Sequence, residues 1–210
     1  MITISAFKWV PPFAQGLVRD LRVRWALEEA GLDYQATLID PAVQASDDYR
    51  HWQPFGQVPA FEEAGISLFE SGAIVLHIGA RSEALLPADA AGRAQAVTWL
   101  LAALNTIEVA VQPLAEIDLF HGGEAWAATR RPQVEQRVKL RLRELAVALG
   151  DRAYLTGQFT LGDLMMTAVL RILRHTDLLA AEPALAAYVK RCEARPAFQR
   201  ALSDHMAPFH

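Results

Sequence analysis

The chain has 210 residues, which at roughly 150 residues per domain gives one or two domains. With 52% hydrophobic and 21% charged residues and a net charge of −4, it can bury a sizeable core, which excludes wholesale disorder. A pI near 5.9 argues against a dedicated nucleic-acid binder. The single cysteine, Cys192, rules out an intrachain disulfide and fits a reducing compartment. No apolar run reads as a membrane span, and the N-terminus MITISAFKWVPPF lacks the basic-then-apolar layout of a secretory signal, so a cytoplasmic protein is expected.

Along the chain the texture changes once. Ile2 to Phe7 begins as alternating apolar and polar residues and reads as a strand; Pro11-Pro12 and Gly16 mark a loop. Leu17 to Ala30 has helical apolar spacing and stops at Gly31. Tyr34 to Ile39 is a second strand, closed by Asp40-Pro41, and a short segment of undefined structure follows. Ala60 to Glu62 and Ile66 to Phe69 form a hairpin around Glu63-Ala64-Gly65, and Ser71 to Arg81 is a helix with Ser71 as its N-cap. After Leu86-Pro87 only helices are expected: 91–120 with a kink or break at Pro113, 132–149, 161–176, 183–195 and a short one around 198–203. Residues 1–86 carry 6 basic and 11 acidic side chains, the remainder 14 and 13, so the acidic excess belongs to the first part.

Four phrases stand out. Phe55-Gly56-Gln57-Val58-Pro59-Ala60 precedes the third strand, and Glu70-Ser71-Gly72 opens the helix after the fourth. Thr160-Leu161-Gly162-Asp163 is a capping box, with Phe159 and Leu164 at the positions of a hydrophobic staple. Leu27 to Tyr34 is a common helix-to-strand connection. Read on their own, Val58-Pro59 is an ordinary trans proline opening an edge strand, and Ser71 is a plain N-cap beside a surface carboxylate. Together with the βαβ–ββα order and the helical remainder, they make the whole chain resemble the soluble glutathione transferases, as a bacterial-like member.

The resemblance implies an α/β plus all-α architecture: a thioredoxin-like domain over 1–82 and an all-helical domain over 93–210 that supplies a second-substrate pocket. It implies a cis peptide before Pro59 and backbone pairing between Val58 and the cysteinyl part of glutathione, with Gln57 a further contact. Glu70 would take the γ-glutamyl ammonium, while the Ser71 hydroxyl and helix N–H groups would take its carboxylate. It also implies a homodimer with an apolar electrophile as co-substrate, and no nucleic-acid, membrane or metal partner. Trp99, Ala103, Phe120 and Trp126 are the candidates to line the second pocket.

One element of the family's pattern is missing. Members carry a Tyr, Ser or Cys between the first strand and the first helix to hold the thiolate; here the interval from Phe7 to Arg19 contains none, and Ser5 lies inside the strand. A thiol with a pKa near 8.5 is only partly ionised at neutral pH, so some group must favour the anion. Arg19 is the preferred candidate, as a cation near the helix start, ahead of Lys8, Gln15 and the helix N–H groups. Its ordinary alternative is a solvated first-turn arginine paired with Asp20 or with a domain-interface acid. The absence keeps open a non-catalytic glutathione-binding or protein-interaction module, or a glutathione-dependent reductase or isomerase.

Overall fold

Alternating burial of Ile2, Ile4 and Ala6 lays one face of strand β1 (Ile2–Phe7) into the core, in a computed structural model that describes residues 1–209. Helix α1 (Asp20–Ala30) follows, ended by Gly31 at φ 64°, then strand β2 (Tyr34–Ile39) parallel to β1. The expected helix start at Leu17 is corrected. Successive turns, Leu17 N–H to Ala14 O and Leu21 N–H to Val18 O, occupy that stretch after Gly16 at φ 78°, and regular helix begins only at Asp20. The undefined segment holds two short helices, α2 (Pro41–Ala45) and α3 (Asp47–Trp52), capped by the side chains of Asp40 and Ser46.

Strands β3 (Ala60–Glu63) and β4 (Ile66–Phe69) form the hairpin, turned by Ala64 and Gly65, both at positive φ as a type I′ turn requires. The sheet order is β2-β1-β3-β4, with β3 antiparallel to both its neighbours. Helix α4 (Ser71–Gly79) packs against α1.

Downstream, α5 (Ala90–Ala102) runs through a π-helical stretch, Ala103–Glu108, into α6 (Val109–Phe120). The irregularity expected at Pro113 therefore lies just upstream of it. Proline cannot donate to the carbonyl four residues back, Val109, and the widened turn ends one residue before that position. By length and hydropathy the stretch Ala90–Phe120 is long and apolar enough to cross a membrane, contrary to the sequence reading; here it packs against α7 (Ala125–Leu149) and α8 (Leu161–Leu170). α7 starts seven residues before the expected Pro132, which sits inside it. Burial of Val134, Val138, Leu142, Leu145 and Leu149 follows the apolar period.

Helix α8 is almost wholly buried and opens with the capping box: Thr160 N–H donates to Asp163 Oδ2 at 2.9 Å. Asp163 Oδ1 also accepts Leu155 N–H and Tyr188 O–H at 2.8 and 3.0 Å. A Cβ on Gly162 would lie 2.6 Å from Trp99 Cβ, so glycine lets α8 approach α5. A 3-10 turn, Arg171–His175, then leads to α9 (Pro183–Glu193) and α10 (Pro196–Met206).

The chain forms two units. Ala88–Ala194 is one; Met1–Pro87 together with the described residues from Arg195 onward is the other. The first unit is thus not a single consecutive stretch. Within it α10 lies on α1: Phe198 meets Trp25 edge-to-face at 4.8 Å, and Arg195 and Arg200 pair with Glu29 and Glu28.

Candidate functional site

Strand register brings the two most informative phrases together. Ala60 stands opposite Phe69, so Val58-Pro59 at the start of β3 and Glu70-Ser71 at the end of β4 flank each other. β3 also runs antiparallel to β1 with Ile4 opposite Phe61, which sets the C-terminal end of β1 and the loop after it at the same end of the sheet. The Val58–Pro59 peptide is cis. Val58 packs its side chain with Ile39 and Tyr49, while its backbone N–H and C=O make no hydrogen bond among the described residues. An extended peptide laid beside Val58 would meet that free donor and acceptor.

A directed chain of hydrogen bonds holds this loop. Tyr49 O–H donates to Gln57 O at 2.6 Å, which uses its only proton. The Ser5 hydroxyl, 2.8 Å away, must therefore donate to Tyr49 Oη, and Ser5 Oγ accepts Ala60 N–H at 2.7 Å. Gln57 and Ala60, on either side of Val58-Pro59, are thus tied to one relay through β1 and α3. Upstream, Gly56 has φ 63°, a backbone conformation that favours glycine, and the Arg50 guanidinium lies over the space a Cβ would take. Burial pushes the Tyr49 hydroxyl above its usual pKa, opposed by the Ser5 hydrogen bond. The Gln57 side chain is exposed.

At the other half of the site the expected Ser71 N-cap is corrected. Glu70 occupies the N-cap position with no side-chain cap, Ser71 is the first helical residue, and the first intrahelical bond is Ile74 N–H to Glu70 O. The N–H groups of Ser71, Gly72 and Ala73 precede that bond, so no intrahelical carbonyl reaches them. Ser71 Oγ accepts from Arg22 Nη1 instead, at 3.3 Å. Glu70 is exposed, with φ 70° and ψ 114°, a conformation a non-glycine residue adopts only under constraint. An uncapped helix start beside an exposed carboxylate can take an anion and a cation at neighbouring points.

Arg19 lies at the N-cap position of α1, half-buried and with contacts of its own. It does not pair with Asp20, whose Oδ2 accepts from Arg24 Nε at 2.9 Å and from His205 Nδ1 at 3.0 Å. His205 Nε2 in turn accepts Gly16 N–H at 3.2 Å, so the imidazole is neutral with its proton on Nδ1. The loop before α1 is therefore anchored from α10. Lys8 and Trp9 are exposed, and Gln15 Nε2 donates to Val10 O at 3.3 Å. Among the helical candidates Ala103 is buried, and Phe120 and Trp126 are exposed. Sequence reasoning missed Ser5, Tyr49, Arg22 and His205 as site-building residues; a serine in a strand and two arginines interleaved with the apolar residues Leu21, Val23 and Trp25 of α1 were the available signals.

The family model for the glutathione S-transferase N-terminal domain matches residues 15–80. Glutathione S-transferase 3 of Zea mays is 33% identical over 198 residues, covering 87% of this chain and 88% of the relative, and a glutathione S-transferase of Hyoscyamus muticus is 29% identical, covering 87% and 92%. Among solved structures, a Burkholderia graminis glutathione transferase with two glutathione molecules bound per subunit superposes with a TM-score of 0.83 at 25% identity, covering 96% and 87% of the two chains. Poplar glutathione transferase F1 gives 0.84 at 22% identity, covering 98% of each, and supports the fold, a thioredoxin-like first part followed by a helical one. With that fold and that degree of likeness over nearly its full length, the chain belongs to the glutathione S-transferase family.

Proposed function

We propose that the protein is a glutathione-dependent transferase that binds glutathione along Val58 and at Glu70-Ser71. The observation that carries this reading is the register that sets an unpaired backbone edge at Val58, behind a cis proline, beside an uncapped helix start at Ser71. The cysteinyl backbone pairs with Val58 N–H and C=O as an added strand, and Gln57 gives a further contact. The Ser71 hydroxyl and the first N–H groups of α4 take the γ-glutamyl carboxylate, and Glu70 takes its ammonium. This seats the thiol toward the end of β1 and the loop before α1.

In the reaction the thiol loses its proton to solvent, the thiolate sulfur bonds to an electrophilic carbon of an apolar small molecule, and the leaving group departs with its electron pair. Arg19 is the thiolate-stabilising residue, because a cation at the start of α1 favours the anion without proton transfer. The helical part, with Trp99, Ala103, Phe120 and Trp126, supplies the co-substrate surface. The family likeness supports a homodimer, and the single free cysteine, Cys192, fits a reducing compartment such as the cytoplasm.

A second reading rests on a specific absence: no Tyr, Ser or Cys lies between Phe7 and Arg19, so the fold would serve as a glutathione-binding module without turnover. Calorimetry with glutathione and turnover of an electrophile and disulfide panel test the first reading, which no binding would sink. Loss of binding in Glu70→Ala and Ser71→Ala would locate the site. Ultraviolet titration of bound glutathione separates the readings: a transferase lowers the thiol pKa, and Arg19→Gln restores it; a thiol that titrates as in solution marks the module.

A further inference from the structure

Arg22 stands in the first turn of α1 at 3% exposure, in a residue type seldom buried without a partner. Its Nη1 lies 3.3 Å from Ser71 Oγ. The consequence follows from the hydrogen-bonding capacity of a hydroxyl, one proton and two lone pairs. A serine near a helix start ordinarily accepts from a first-turn backbone N–H, which spends both its oxygen and one of the helix's free donors. Here the guanidinium takes the oxygen's lone pair. The hydroxyl proton must then point away from Arg22, and because Ser71 is itself the first helical residue and Glu70 gives no side-chain cap, the first N–H groups of α4 keep their capacity to donate.

We propose that Arg22 is a positioning residue that makes Ser71 a carboxylate donor, and that it sets selectivity for thiol peptides bearing an α-carboxylate on a γ-linked first residue. This rests on the glutathione reading above and extends it to a residue that would not touch the peptide. It predicts discrimination at one group: a ligand identical to glutathione except for that carboxylate loses what Arg22 contributes.

The test is calorimetric affinity for glutathione and for γ-aminobutyryl-cysteinylglycine, which lacks only that carboxylate, on the wild type, Arg22→Met, Arg22→Lys, Ser71→Ala and the double variant Arg22→Met/Ser71→Ala. Arg22→Met is expected to weaken glutathione about tenfold and to leave the analogue's affinity nearly unchanged, in line with the loss of one charge-assisted hydrogen bond. Arg22→Lys should recover part of the loss, and the double variant should bind glutathione no more weakly than Ser71→Ala, because the two act in series. Equal weakening of both ligands, or additive losses in the double variant, would overturn the proposal and leave Arg22 a packing residue. Should Arg22→Met fail to fold, Arg22→Lys carries the comparison: a loss confined to glutathione supports it, and a loss shared with the analogue overturns it. A wild type that binds neither ligand refutes the glutathione reading itself, which separates the two failures.

Discussion

Tyr49 shows how much of the site depends on single protons. Its hydroxyl spends its proton on Gln57 O and takes the one from Ser5, so the relay has one direction from Ala60 N–H to the Gln57 carbonyl. Tyr49→Phe would leave the Gln57 carbonyl and the Ser5 hydroxyl without their partner. The expected cost is about 1–3 kcal/mol of stability, read from the urea midpoint, with a several-fold weaker glutathione affinity because Val58 is no longer held on both sides. Ser5→Ala should reproduce most of this, and Gln57→Ala little of it, since only the Gln57 backbone is in the relay. None of this was legible along the chain. Ser5 and Tyr49 are 44 positions apart and Arg22 and Ser71 are 49 apart, and no local pattern marks a hydroxyl whose partner lies on another element. The phrases Val58-Pro59 and Glu70-Ser71 were legible because each is contiguous; the Ser71 cap was misread by one position because propensity does not show that Glu70, at φ 70°, takes the N-cap place.

At the level of elements, legibility followed pattern length and turn chemistry. Strands β1, β2 and β4 were read to the residue, because alternation or a Gly turn bounds each of them. Helix α7 was read short, because Pro132 looks like a first-turn residue, whereas it is the eighth residue of the helix and stands inside it. The docking of α10 on α1 left no trace in local spacing. It depends on His205, which donates a hydrogen bond to Asp20 and accepts one from Gly16 N–H. His205→Ala would leave Asp20, already carrying one oxygen without a hydrogen bond, with Arg24 as its remaining partner among these, and would remove the imidazole that Gly16 N–H donates to in a buried setting. Denaturant unfolding should show a loss of about 2–4 kcal/mol. The loop before α1 should also exchange its amide protons faster than the wild type, most at Gly16. An unchanged Gly16 exchange rate would show that the loop does not need the anchor.

At the level of the whole molecule, tyrosine ionisation reports the folded state. Tyr34 is pushed up from 10.0 to about 12, mainly by burial, with Arg24 pulling the other way, and burial also raises Tyr49 and Tyr188. The folded chain therefore holds these protons to higher pH than the unfolded chain does. Their contribution to stability is complete below pH 10 and is lost as the pH rises toward 12. In an alkaline titration the native tyrosinate absorbance should lag that of the urea-unfolded protein across this window, and Tyr34→Phe should shallow the fall in stability there. Coincident native and unfolded curves would contradict it.

The return of the chain to its first unit has a consequence for synthesis. α1 receives Phe198, Arg195, Arg200 and His205 only after the whole of Ala88–Ala194 has been made. A nascent chain therefore reaches its helical middle while the glutathione-family unit still lacks one of its walls, and the His205 contact to Gly16 forms only once α10 has left the ribosome. In this protein the part translated first is finished last.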